Sequence, residues 1–208
     1  MEKIKKERYA FIDVQNTEST VSQLLNFNID WNLMFLYLKN HWNCNKIFFY
    51  SGIQKGDKEK SKEYEQLSEL GYEMRAKTYF VYRNKDSVTK IMCNVCNNEI
   101  KHIIKSGMRW KSNCDVELSV DVLNNVKNES EFLFFTGDGD FEYLIRDVVE
   151  KGVRVYIISS ARKIFIEPRY YISRFSTKLR DLIAEKRGIV DFLEINDWKN
   201  QIIKTEKR

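Results

Sequence analysis

The stretch FFTGDGDFEYL, residues 134–144, sets two aspartates one residue apart on a glycine-bearing turn, after an apolar run and before a helical pattern. That order reads as a strand passing into a helix, with Asp138 and Asp140 just beyond the strand end. Outward from it, SEFLFFTG is the strand, DFEYLIRDVVEKG a helix closed by Gly152, and VRVYIIS a further strand. Upstream, RYAFIDVQN reads as a short buried strand, Tyr9 to Ile12, ending at Asp13. DWNLMFLYLKNHW follows as a helix with Trp31, Met34, Phe35 and Leu38 on one face and Asp30 as its N-cap. KIFFYSG is a second strand, KEKSKEYEQLSEL an exposed amphipathic helix closed by Gly71, and YEMRAKTYFVY a third strand with a continuation. Alternating strands and helices predict a mainly parallel sheet covered by helices on both faces, a three-layer α/β/α sandwich.

Residues 83–112 break the rhythm and read as an insertion, a hairpin with a short helix. CDVELSVDVLNNV then resumes as a helix. After the last strand, SRFSTKLRDLIAEKRG reads as a helix and WKNQIIKTEKR as a frayed basic tail, together a C-terminal helical extension over about 171–208. One domain spanning 1–208 is expected. One proline and eight glycines argue against long disordered linkers. The N-terminus lacks the apolar segment of about 7–15 residues that a signal peptide needs, and no run is long enough to span a bilayer, so a cytoplasmic protein with no membrane partner is expected. Lysine and arginine outnumber aspartate and glutamate 35 to 30, so clustering of the acids would leave a more basic remainder suited to a polyanion. A solvated lysine-rich coat reads equally well from charge alone.

In open α/β sheets the ligand crevice lies outside the carboxyl ends of the strands. Asp13, Asp138 and Asp140 all follow strands and converge if those strands are neighbours. Asp115 and Asp121 belong to the helix before the strand at 131–135, and their spacing of six residues reads as leaning toward one side. Two unit charges about 4 Å apart cost on the order of 4 kcal/mol at an effective dielectric of about 20, so clustered acids need compensation. Protons, basic side chains or a divalent cation can supply it; hard oxygen donors without histidine favour magnesium or manganese over zinc. Such an ion can polarise a phosphoryl oxygen and ease in-line attack by water. Gly137 and Gly139 are expected to let the backbone bend tightly. Taken singly, GDGD is ordinary turn and cap chemistry, and Asp115 and Asp121 a cap and a solvated face.

Together, FIDVQN, CDVELSVDVL and FFTGDGDFEYLIRDVVEKGVRVYIIS resemble the NYN domain family, LabA-like branch, of the PIN-like nuclease superfamily. Members show a strand ending in Asp-x-x-Asn, a Lys-Gly-x-Asp-Val-x-Leu-x-x-Asp helix start, and Ser-Gly-Asp-x-Asp-Phe before a helix. The resemblance implies a metal-dependent endoribonuclease of three-layer α/β/α fold. It implies an acidic magnesium or manganese site of Asp13, Asp115, Asp138 and Asp140, with Asn16 orienting a ligand or water and Asp121 at the edge. Thr136 stands at the usual serine, where its hydroxyl would bond phosphate or a carboxylate. Asn113 and Cys114 replace the usual glycine and aliphatic residue, which shifts the spacing of Lys111.

Arg83, Lys85, Lys90, Lys101, Lys105, Arg109 and Lys111, interleaved with Tyr79, Tyr82 and Trp110, suit a single-stranded backbone and its bases, or a solvated hairpin. A second basic group, Arg162, Lys163, Arg169, Arg174, Lys178 and Arg180, follows the last strand; of these, Arg174 and Lys178 join the site residues. Cys93 and Cys96 form a single CxxC, whereas a zinc ribbon needs a second pair. Inert thiols, a reactive dithiol, a bridging half-site in a dimer and structural zinc all remain open. A homodimer through a helix face or the insertion is compatible with the sequence. His41 and His102 read as structural or exposed. RNA is the expected partner, and a catalytically silent RNA-binding or protein-interaction module of the same fold is the alternative. An aspartyl-nucleophile phosphotransferase would need a second acid where Gln15 stands.

Overall fold

The computed structural model describes residues 6–83, 86–93, 96, 98–105, 107–111, 113–166 and 170–204. In chain order the elements are β1 (Arg8–Asp13), α1 (Val14–Leu25), α2 (Trp31–Asn40), β2 (Lys46–Ile53), α3 (Lys58–Leu70) and β3 (Glu73–Thr78). Then come β4 (Phe80–Arg83), β5 (Ser87–Met92), β6 (Glu99–Ile104), β7 (Met108–Lys111), α4 (Asp115–Asn124) and β8 (Glu131–Phe135). A 3-10 turn (Gly139–Phe141) leads into α5 (Glu142–Glu150), β9 (Arg154–Ser159), β10 (Lys163–Ile166), β11 (Tyr170–Ser173), α6 (Thr177–Glu185), β12 (Val190–Glu194) and α7 (Lys199–Ile202).

Six strands form one sheet in the order β12-β9-β8-β1-β2-β3, and every pairing in it is parallel. Parallel strands need helical crossovers that cover both faces, which is why Phe132, Leu133, Phe134 and Phe135 can be apolar without alternation. Ala10, Ile12, Phe49, Leu133 and Phe135 meet Val21, Leu24, Met34, Leu38 and Leu67 on one face. Phe11, Phe48, Phe132 and Phe134 meet Leu118, Val122, Ile145, Val148 and Leu179 on the other. The chain goes outward from β1 to β3 on one side and from β8 to β12 on the other, so the strand order reverses between β1 and β8.

Three features depart from the sequence expectation. Helix α1 was hidden because two of its core positions are threonines, Thr17 and Thr20, both buried; Thr17 Oγ1 donates to the carbonyls of Asp13 (2.7 Å) and Phe135 (3.1 Å). The C-terminal stretch is more than helix and tail. Val190–Glu194 is an edge strand of the main sheet, and Trp198 and Ile202 lie in the core, while residues 205–208 fall outside the described residues. The insertion forms no helix among its described residues. β4 pairs with β7 and β5 with β6, both antiparallel, and four steps on each strand separate the two ladders, so they share one register. Its β-branched alternation, SVTKIM against EIKHII, explains the ribbon. No helix among the described residues is long and apolar enough to cross a membrane.

Candidate active site

A reversal of strand order opens a crevice outside the carboxyl ends of the two strands that flank it, here β1 and β8. Asp13 ends β1, and Thr136 to Asp138 follow β8. A cavity of about 460 Å³ lies there, lined among others by Asp13, Asn16, Asp115, Asp138, Asp140 and Arg174. A second cavity of about 340 Å³ beside it shares Asp138, Asp140 and Arg174 and adds Lys178. The four acids come from three places in the fold, the end of β1, the start of α4 and the turn after β8, brought to one rim by the parallel sheet.

Each acid is held differently. Asp13 caps α1, its Oδ1 accepting from Asn16 N–H at 3.1 Å. Burial pushes its carboxyl up to about 6, opposed by the hydrogen bond from Asn16 and reinforced by the charges of Asp115 and Asp138. Asp115 opens α4, with its N–H donating to Asn113 Oδ1 (2.7 Å). Asp138 caps the 3-10 turn by accepting from Asp140 N–H (3.0 Å). Asp140 stands at the exposed lip, 4.0 Å from Lys178 Nζ. Among the described residues no three His, Cys, Asp or Glu side chains are gathered closely enough to hold a metal ion.

Asn16 ties the two flanking strands together: its Oδ1 accepts from Gly137 N–H at 2.8 Å. The oxygen faces the chain, so any ligand contact falls to the amide nitrogen. Thr136 is buried and its Oγ1 accepts from Asp138 N–H (3.1 Å), which shapes the turn from within. Arg174 reaches the rim from β11, steered by Gln23 of α1, whose Oε1 accepts from the guanidinium Nε at 3.0 Å. The two glycines of the turn serve close packing. Neither has a positive φ; a Cβ on Gly137 would lie 2.1 Å from the Arg174 carbonyl oxygen, and one on Gly139 2.2 Å from Ser176 Oγ.

Asp121 is placed apart from the other acids. Six residues fall well short of two full turns at 3.6 per turn, so it projects from a different side of α4 than Asp115. Arg75 of β3 grips it through two nitrogens (2.9 and 3.3 Å), and Tyr50 of β2 donates its hydroxyl at 3.1 Å. Burial, then the Asp121 charge, raises the Tyr50 pKa, which keeps that hydroxyl a donor. The clamp fixes α4, and with it Asp115, against the sheet. Asp121→Ala is expected to cost about 1–3 kcal/mol, because it leaves Arg75 and the buried Tyr50 hydroxyl without their acceptor; denaturant unfolding measures it, and an unchanged midpoint would remove the clamp from this account.

Sequence reasoning did not name Tyr50, Ser51 and Gly52, which also line the cavity. They end β2, next to β1, so the rule that located Asp13 would have found them. Lys111 pairs with Phe80 in the ribbon, and its side chain lies outside the described residues.

Two hairpins rise from this rim. The β4–β7 ribbon leaves the end of β3 and returns to the start of α4; the β10–β11 hairpin leaves the end of β9 and returns to Arg174. Residues 79–112 hold seven lysines and arginines against two acids, and residues 160–174 four against one, so the remainder of a chain of net charge +5 is net negative and the basic excess belongs to the hairpins.

Comparison with known proteins agrees with this architecture. The NYN domain family model matches residues 9–177. The Low amplitude and bright protein LabA of Synechococcus elongatus is 28% identical over 108 residues, 51% of this chain and 49% of that protein, so the match spans about half of each. A crystal structure of a Vibrio parahaemolyticus protein of unknown function superposes with a TM-score of 0.63 at 19% identity, covering 98% of this chain and 100% of the other, which speaks to the fold. With the acidic crevice at the β1–β8 reversal and the family match over most of its length, the chain belongs to the NYN domain family.

Proposed function

We propose that the protein is a metal-dependent endoribonuclease that hydrolyses phosphodiester bonds of single-stranded or structured RNA at the β1–β8 crevice. One observation carries this reading: Asp13, Asp115, Asp138 and Asp140 line a single cavity whose rim bears two basic hairpins. The donor set is hard oxygen, which suits magnesium or manganese. Magnesium is commonly held by one or two carboxylates with its remaining waters kept, so a crevice without a closed three-ligand group among its described residues can still take a hydrated ion. Asp13, Asp138 and Asp115 would hold it, with Asp140 at the lip. When bound, the ion supplies charge neutralisation at the phosphoryl group and lowers the pKa of water. Arg174 and Lys178 hold the phosphate backbone beside the acids, and Asn16 keeps the two strand ends at fixed separation.

Cleavage of labelled RNA in manganese tests the proposal. Asp138→Asn is expected to lose activity by about a hundredfold or more and most of the manganese-dependent gain in melting temperature; activity that survives the change would point to a contaminating nuclease. The looseness of the acids favours a second reading, a silent RNA-binding module, and that reading predicts RNA binding without manganese-dependent cleavage. Both readings need the basic rim. Neutralising Arg174, Lys178 and Arg180 together is expected to weaken RNA binding and to reduce its salt slope by about 2–3, at roughly 0.7–0.9 per phosphate contact; binding with an unaltered slope would exclude the rim.

A further inference from the structure

We propose that the tip of the β5–β6 ribbon is half of a zinc site, completed by the same tip of a second copy of this chain. Beyond the last pair of the ladder, Met92 with Glu99, the Cys93 N–H donates to the Asn98 carbonyl (2.9 Å) and the hairpin closes. Cys93 is partly exposed and Cys96 exposed. Two cysteines three positions apart at a hairpin tip supply two of the four thiolates that a tetrahedral structural zinc requires.

The chain itself does not offer the other two. Cys44 is buried beneath α2, and burial pushes its thiol up to about 12. Cys114 sits at the opposite end of the arm, its Sγ directed at the carbonyls of Ser51 (3.6 Å) and Arg75 (3.8 Å). His41 is stacked on Tyr37. His102 pairs with Thr89, four residues down the strand from Asn98, roughly 13 Å away at ~3.3 Å per residue. Among the described residues no group of three ligands forms.

The ribbon below the tip also needs a partner. Val88, Ile91, Met92, Ile103 and Ile104 are each 48–59% exposed, and alternation distributes them over both faces. A two-stranded ribbon alone is marginal in water. A second copy related by a two-fold axis would cover the face that carries Val88, Met92 and Ile103 with its own and deliver the missing cysteines in the same act. Lys90 and Lys101 stand directly opposite each other just below the tip, with Glu99 paired to Lys90 at 2.9 Å. Their excess positive charge favours thiolates and offsets the double negative charge of a zinc tetrathiolate. Soft thiolates select zinc over the hard cations suited to the acidic crevice. Each thiol releases its proton to solvent on binding, four per ion, with no change of oxidation state. The proposal does not rest on the nuclease reading.

The test is native mass spectrometry and light scattering of the full chain under a non-thiol reductant, with zinc added or removed by a chelator. The expected result is a dimer holding one zinc per two chains, converted to monomer by chelation and restored by zinc. Cys93→Ser and Cys96→Ser are each expected to abolish the dimer and the zinc while leaving the melting temperature of the sheet domain unchanged. Cobalt in place of zinc should give the visible bands of a tetrahedral thiolate site. Any of three results overturns the proposal: a monomer despite zinc, one zinc held by each monomer, or a dimer that survives chelation.

Discussion

Asp13→Asn will lower RNA cleavage by about a hundredfold or more, yet the metal-free protein will melt at a higher temperature than the wild type at neutral pH. The loss follows from the loss of charge at the centre of the crevice, where a factor of 100 corresponds to about 2.7 kcal/mol of transition-state stabilisation. The gain follows from the same carboxylate. Asp13 is pushed up to about 6 from an ordinary 3.8, first by burial and then by Asp115 and Asp138. The folded protein therefore holds an extra proton between those two values. Its contribution to stability is full below about pH 4 and is lost as pH rises through 6, a cost on the order of 3 kcal/mol at neutral pH. Asparagine removes that cost and keeps the helix, because its side-chain oxygen caps as well as aspartate and can still accept from Asn16 N–H. Calorimetry between pH 4 and 8 should show the wild type declining relative to the variant as pH rises. Parallel curves would mean that Asp13 is not strained by its surroundings. Manganese competes with the same proton, so its stabilisation of the wild type should grow through pH 6.

Gly137→Ala will destabilise the fold by about 2–4 kcal/mol, equivalent to a fall of roughly 5–15 °C in melting temperature for a chain of this length. The added methyl would stand 2.1 Å from the Arg174 carbonyl oxygen and 3.0 Å from Ser159 Oγ. A side chain could turn aside, but the Arg174 carbonyl is backbone. The neighbouring chain is held in place from the other side by Ser176 N–H donating to the Gly137 carbonyl at 2.9 Å. Relief therefore requires the β11–α6 connection to move, taking Arg174 with it, so RNA binding should weaken together with stability. Gly107→Ala is the control: nothing lies within 4 Å of its added methyl, and the melting temperature should be unaltered. Equal behaviour of the two variants would refute the packing argument.

The acids were legible in the sequence because a carboxylate just beyond an apolar run is costly anywhere but at a strand end, and parallel strands bring their ends to one rim. Asp30 as a cap and Gly71 as a helix stop, with φ +117° in the structure, were legible because local chemistry alone dictates them. What escaped was decided by tertiary partners. Thr17 and Thr20 disguised the buried stripe of α1, since a threonine that satisfies its hydroxyl on backbone carbonyls can pass as apolar. Asp191 masked β12, although it needs only Arg154 across the strand (2.8 Å) to sit in a sheet edge. The lysines around Trp198 and Ile202 made a core element read as a tail. Asp121 looked like a member of the acidic set because the sequence carries no sign that Arg75, 46 residues away, neutralises it. The glycines of the turn advertised flexibility, whereas their necessity comes from a segment almost forty residues downstream.

The central position of β1 has a consequence during synthesis. One of its edges is covered as soon as β2 leaves the ribosome, but the other is vacant until β8 has been made, some 120 residues after β1 itself. At translation speeds of about 5–20 residues per second, that edge is bare for on the order of ten seconds. Asp13 and Asp138 meet only when this seam zips, so the electrostatic penalty of the crevice falls after β1, β2 and β3 have been made and leaves their pairing unopposed.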